Sequence, residues 1–378
     1  MGENRPNIIA FYLPQFYPFK ENNEWWGKGF TEWTNVAKAK PLFKGHNQPR
    51  IPADLSFYDL RVAQVREEQA QLAAKAGVTA FCYWHYWFGN GKRLLSQVFD
   101  EVLESGKPDF PFCLGWANHS WFAKTWNKDT KDKLLIEQTY PGLDDAREHF
   151  SFLLKAFKDE RYVKIDGKPF LFIFDPKALP ASYIEHFDIW AKEAGFPGLY
   201  LVANLKPFEQ KEDFLSNGYS AVLINRIIQY SKLDSKIDQQ KSRIVQLRYK
   251  YKSIDLLLKF RRWCIDSLSK QKPTIVDYES FYPQLVTQEE YSERVIPQLV
   301  PQWDHTPRSG MYGLAWINAT PNHFYNHAKQ VLQAVKEKQN KVIILKSWNE
   351  WGEGNYMEPD TTYGHGFIEA LSKALSEE

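Results

Sequence analysis

Eight short runs of uninterrupted apolar residues, separated by stretches with helical spacing, constrain this chain more than any other feature of its sequence. The runs are Ile8–Leu13, Val78–Trp84, Phe112–Trp116, Phe170–Phe174, Leu199–Ala203, Ala221–Asn225, Gln298–Trp303 and Val342–Ser347. Continuous apolar runs, rather than strict alternation, mark parallel strands covered on both faces. Between them, Leu60–Ala76, Leu94–Glu104, Asp144–Phe157, Tyr183–Ala194, Pro321–Lys338 and Phe367–Leu375 read as helices. In the first of these, Val62, Val65, Leu72 and Ala76 mark an apolar side and Gly77 a stop. Strand–helix alternation implies a parallel α/β sheet, and eight repeats fit a (β/α)8 barrel, which tolerates insertions. A doubly wound sheet is the alternative, but no nucleotide fingerprint accompanies it. The expectation is one barrel over residues 1–378, interrupted by a helical insertion at 228–275.

That insertion stands out by charge. Residues 228–272 hold twelve Lys or Arg against four Asp, within a chain whose formal net charge is only +2. Ile237, Ile244, Leu247, Tyr251, Ile254 and Leu258 keep an amphipathic spacing, so a helix with a basic outer face is expected. It reads either as a hairpin packed on the barrel or as a peripheral contact for an acidic polymer, an anionic membrane surface or a lipid-linked substrate. The near-neutral whole argues against a dedicated nucleic-acid binder. Three cysteines without C-x-x-C exclude a disulfide scaffold and a cysteine-based zinc module. No run approaches the length of a membrane span. No secretory signal is visible at the start, so a cytoplasmic location is expected.

In a barrel, functional residues come from the C-terminal ends of strands and the loops beyond. Aromatic residues, 16% of the chain with 14 Trp, collect at those positions. The first strand leads to Tyr12, Gln15 and Trp33; the second ends on Tyr83, His85 and Tyr86; the third leads to Trp116, Asn118 and His119. The seventh leads to Asp304, and the eighth to Trp348, Asn349 and Trp351. Trp and Tyr offer a flat apolar face with a polar edge, and a sugar ring presents the matching C–H face and hydroxyl rim. These residues are the candidate substrate contacts; core tryptophans beneath long loops are the competing reading. His305, Asp54 and Glu32 are weaker candidates, and Asp304 is expected to pair with Arg308.

The strongest pair is Glu350 and Glu353. Two carboxylates three residues apart in a Gly-rich turn can reach one side at roughly 5–6 Å, the spacing of retaining glycosidases. Apolar walls from Trp348 and Trp351 would raise one carboxyl and leave the other ionised; two solvated loop glutamates are the alternative. Gly89-Asn90-Gly91-Lys92 lacks the phosphate-loop spacing. There is no H-E-x-x-H, no G-x-S-x-G and no D-x-D, so neither metal nor cofactor is expected.

Ser347-Trp348-Asn349-Glu350-Trp351-Gly352-Glu353-Gly354 resembles the terminal-strand motif of glycoside hydrolase family 99, the endo-α-mannosidase and endo-α-mannanase group. The remainder is closer to the WbsX family of related proteins, often labelled glycosyltransferases and found in O-antigen and polysaccharide gene clusters. It matches through Ala10 to Phe16, Gly29 to Trp33, Tyr83 to Phe88, Trp116-Ala117-Asn118 and Trp303 to Arg308. The resemblance implies a (β/α)8 barrel and hydrolysis with retention. It implies that Glu350 acts as base on a sugar 2-hydroxyl, giving a 1,2-anhydro intermediate, and that Glu353 acts as general acid, then base. Gly352 departs from the hydrolase pattern, which has a larger residue there. Three readings follow: an endo-acting glycoside hydrolase on a bacterial polysaccharide, a glycosyltransferase in polysaccharide assembly, or a carbohydrate-binding protein without catalysis.

Overall fold

A computed structural model describes residues 5–123, 132–227 and 273–378. Strands form where the apolar runs lie: β1 (Asn7–Tyr12), β2 (Ala80–Trp87), β3 (Phe112–Trp116), β4 (Lys168–Ile173), β5 (Tyr200–Leu205), β6 (Ala221–Ile224), β7 (Val295–Ile296), β8 (Gln298–Leu299) and β9 (Val342–Leu345). All neighbours among them pair in parallel, in the order β7-β6-β5-β4-β3-β2-β1-β9-β8. The two ends of that order are consecutive in sequence, so the sheet curls into a nearly closed barrel of the (β/α)8 type.

The expected seventh strand, Gln298–Trp303, is shorter and split. Val295 pairs with Val222 on one side, and Gln298 with Ile344 on the other. Pro297 lies between and has no N–H for a ladder bond; its carbonyl instead accepts from Ile344 N at 3.1 Å. Beyond Leu299 the strand stops, because Pro301 again lacks a donor and Val300 N turns to His327 Nε2 at 3.2 Å.

Helices follow the strands as the spacing implies: Ala63–Ala76, Gln97–Ser105, Leu143–Phe157, Ala181–Glu193, Pro321–Val335 and Gly366–Ser376. They cover the outer face of the sheet, and β1 shows the consequence. Ile8 and Ala10 are fully buried, and Tyr12 bonds Gln69 of the Ala63–Ala76 helix at 2.6 Å. Phe11, by contrast, meets Trp84 and Phe172 inside the barrel, with ring centroids 4.6 and 4.8 Å away. Each such fully buried side chain contributes roughly 1.5–3 kcal/mol. A second, smaller core gathers Tyr278, Phe281, Val300 and Trp316 beside the parallel pair Thr274–Asp277 and Leu314–Ile317. The basic amphipathic segment expected over 228–272 lies outside the described residues; its expected end, 273–275, enters the strand Thr274–Asp277. No helix among the described residues is long and apolar enough to cross a membrane.

Candidate active site

The loop after β9 folds back as a small antiparallel hairpin, Asn349–Glu350 against Asn355–Tyr356, with the tight turn Trp351–Glu353 between. Its underside is anchored. Trp351 stacks on Tyr356 with centroids 3.7 Å apart and donates to the buried Glu358 at 2.6 Å. The Asn349 amide bonds both Leu13 N and Leu13 O, tying the hairpin to the end of β1. With one face so fixed, Glu350 and Glu353 project from the other into a cleft of about 650 Å³ at the C-terminal mouth of the barrel.

One guanidinium organises the cleft wall. Arg308 donates to Glu350 Oε1 at 2.8 Å, Glu353 Oε1 at 2.7 Å and Glu32 Oε2 at 3.0 Å. Glu32 opens the helix Glu32–Lys38 and is itself buried. The departure at Gly352 has a steric cause here. A Cβ at residue 352 would overlap Glu32 Oε2 and lie 2.9 Å from Arg308 Nε, so the space a larger residue would need is filled by the Glu32–Arg308 pair.

Burial and charge drive the two carboxyls apart. Desolvation pushes Glu350 well above the usual carboxylate range, with the charges of Glu353 and Glu32 adding to it against Arg308. Burial would raise Glu353 too, but Arg308, His305 and Lys346 outweigh it and hold Glu353 below its ordinary value. The proton therefore favours Glu350 and the charge Glu353, the reverse of the roles implied by the family 99 resemblance.

The structure brings only some of the sequence candidates to this cleft. Gln15, Tyr86 and His119 line it with the two glutamates. His305 does as well, its Nε2 3.8 Å from Glu353 Oε1, and Glu32 joins through Arg308. The other candidates lie elsewhere. Tyr83 packs on Phe99 and Phe112, and His85 sits against Phe152 and meets His149 Nε2 at 2.9 Å. Trp116 packs on His149 and Phe187, and its indole donates to Trp87 O. Asn118 bridges to Asp175 and Tyr140. Trp33 donates to Tyr58 O and packs on Phe16 and Trp351. Trp348 is fully buried beside Phe81, while Tyr12, Asn349 and Trp351 hold the scaffold as described. Asp54 pairs with His365.

Asp304 does not pair with Arg308. It accepts from His46, Gln48 and Thr306 beside Arg50, and these partners overcome burial to hold its carboxyl at about 2. Its backbone N donates to Glu353 O at 2.7 Å, so it braces the loop rather than the ligand face.

The aromatic lining comes instead from Trp25, Trp26, Trp84 and Trp121. Strand alternation puts Trp84 on one face with Tyr86, opposite Tyr83 and His85, without saying which face meets the cleft. Asn22, Asn355 and Lys346 also line the cleft and carried no comparable signal. Among the described residues no group of three His, Cys, Asp or Glu could hold a metal ion.

Comparison with known proteins agrees with the architecture. The family described as "Glycosyltransferase WbsX" matches residues 8–371. Proteins from two strains of Xanthomonas campestris pv. campestris, both called "Uncharacterized protein WxcX", are 31% identical over 374 residues, covering 98% of this chain and 49% of theirs. The chain thus spans about half the length of the curated relatives it matches. Among solved structures, a glycoside hydrolase-like protein superposes with a TM-score of 0.55 at 15% identity, over 98% of this chain and 94% of that one. A family 99 endo-α-mannosidase from Bacteroides thetaiotaomicron superposes with a TM-score of 0.53 at 13% identity, over 98% and 97%. These structural likenesses establish a shared fold.

Proposed function

The chain belongs to the WbsX family, and on that premise we propose that it is a glycosidase-like enzyme cleaving a bacterial oligo- or polysaccharide, endo-acting and with retention. The observation that carries this reading is the Glu350–Glu353 pair, held by one guanidinium on the wall of an aromatic-lined cleft. Glycoside cleavage needs a proton for the leaving oxygen and a second carboxylate for the developing charge on the sugar. The cleft supports both with opposite environments: burial pushes the Glu350 carboxyl up, while Arg308, His305 and Lys346 hold Glu353 down. Glu350 is then the proton donor and Glu353 the carboxylate acting on the sugar. Trp25, Trp26, Trp84 and Trp121 offer stacking faces for sugar rings.

The test uses Glu350→Gln and Glu353→Gln on a panel of bacterial glycans and on aryl glycosides whose leaving group needs no protonation. Both variants lose about 10²–10⁴-fold on natural glycans. Glu350→Gln keeps cleaving the activated glycosides, whereas Glu353→Gln does not. Rescue of Glu353→Gln instead exchanges the two roles, and full activity in both variants sinks the proposal. The family's own description favours a second reading, transfer of a sugar to an acceptor. Consumption of a nucleotide-sugar donor with chain growth, and no glycan cleavage, decides for it.

A further inference from the structure

Lys346 follows β9 directly and lines the cleft beside the two glutamates. Its Nζ lies 5.8 Å from the centre of the Phe11 ring and 5.6 Å from that of Trp303, over an aromatic shelf. The acids nearby make their direct contacts elsewhere: Arg308 is shared by Glu32, Glu350 and Glu353. Lys346 forms no ion pair or side-chain hydrogen bond with any described residue. Lys338 shows what a structural buried lysine does in this chain: its Nζ donates to Val295 O at 2.6 Å.

Lys346 is only partly buried and faces the cleft, so its ammonium is within reach of a ligand. Burial depresses Lys346 below an ordinary lysine, with only partial relief from Glu353 and Glu350. Amide groups around it are equally unspent. Asn355 stands opposite Glu350 in the hairpin register, and neither its Oδ1 nor its Nδ2 has a partner. Asn22, 1% exposed, lines the same cleft with both amide atoms unpartnered. The cleft therefore combines hydroxyl-binding amides with one cation that has no direct ion pair or side-chain hydrogen bond among the described residues.

We propose that Lys346 is a specificity-determining residue, and that the sugar bound beside Glu350 and Glu353 carries an anionic substituent, carboxylate or phosphate, that pairs with it. This rests on the reading of the cleft as a sugar site.

The test is affinity electrophoresis of Glu350→Gln protein, at 0.15 M salt to screen the basic 228–272 segment. The gels hold a glucuronic acid-containing polysaccharide, the same polymer after carboxyl reduction, and a phosphate-bearing polysaccharide before and after dephosphorylation. The expected result is at least tenfold tighter binding of one acidic form than of its neutralised counterpart; which pair responds identifies carboxylate or phosphate. Adding Lys346→Met removes the preference by weakening the acidic form at least tenfold more than the neutral one, and Lys346→Arg restores part of it. Lys346→Met folds, because it exchanges a partly exposed ammonium for an apolar chain of similar length. Equal binding of acidic and neutral forms, no binding of any polymer, or a preference that survives Lys346→Met overturns the inference. Cleavage of neutral glycans by the wild-type chain, with no acidic preference, defeats this inference alone. Selective binding without cleavage defeats the hydrolytic reading alone.

Discussion

Gly352→Ala is the substitution that best isolates the device holding the two glutamates. The new Cβ would overlap Glu32 Oε2 and sit 2.9 Å from Arg308 Nε and 3.3 Å from Arg308 Cζ. Glu32 has little room to retreat, since its side chain is only 5% exposed. The 3.0 Å Glu32–Arg308 contact must therefore open. Losing a hydrogen bond between charged groups costs about 1.5–3 kcal/mol, and overpacking adds about 1–3 kcal/mol; a loss of about 3 kcal/mol is a conservative expectation. With an unfolding entropy of about 2.1 cal/mol/K per residue, a chain of 378 residues then loses roughly 4 °C in Tm. Arg308 also positions Glu350 and Glu353, so a displacement near 1 Å lowers glycan cleavage about 100-fold. Thermal unfolding and initial-rate assays on Gly352→Ala, Glu32→Ala and the double variant measure these effects. In the Glu32→Ala background the obstructing carboxylate is gone, so the added alanine costs under about 1 kcal/mol. Wild-type Tm and activity in Gly352→Ala, or strictly additive losses in the double variant, would refute the steric reasoning.

Three further outcomes follow from the same geometry. Arg308→Gln leaves Glu32, Glu350 and Glu353 without their shared cation, so cleavage falls at least about 100-fold and the acidic limb of the pH–rate profile, read from initial rates across pH, moves up with Glu353. Burial raises Glu358 from 4.5 to about 7 against hydrogen bonds from Trp351, Gln69 and Tyr58. The folded chain thus holds a proton that the unfolded chain has released, and the associated stability, present below about pH 4.5, is lost as pH rises to about 7, by about 3 kcal/mol. Denaturant midpoints between pH 4.5 and 8 show this slope in the wild type, and Glu358→Gln flattens it. Trp26 lines the cleft and is 46% exposed, so Trp26→Ala weakens glycan binding about tenfold with stability changed by less than about 0.5 kcal/mol. Trp116→Ala, at a fully buried position, costs about 3–5 kcal/mol with no direct loss of a glycan contact; calorimetric melting and binding titration separate the two.

The architecture was legible from local pattern because its signal is local. Each parallel strand is covered on both faces and so announces itself as an apolar run, and each helix as a periodic stripe. The same double coverage hid the orientation of the strands. Tyr83, Trp84, His85 and Tyr86 are all aromatic, and alternation shows that they divide into two faces without showing which face is inward. Only closure of the barrel sent Trp84 and Tyr86 to the cleft and Tyr83 and His85 to the helices.

The sequence by itself determined the strand and helix succession, the place of the candidate cleft at the strands' C-terminal ends, and the proximity of Glu350 and Glu353, which are neighbours along the chain. Tertiary structure decided what those carboxyls are. Arg308 and Glu32 lie on two short helices and are 276 residues apart in sequence, and their meeting above Gly352 fixes the pair. Lys346 looks from sequence like the polar end of a buried strand, and it lacks a direct ion pair among the described residues because the acids around it contact Arg308 instead. Pairing and desolvation depend on which groups share a few ångströms of low-dielectric space. Linear sequence fixes which groups exist, and the closed barrel fixes which of them meet.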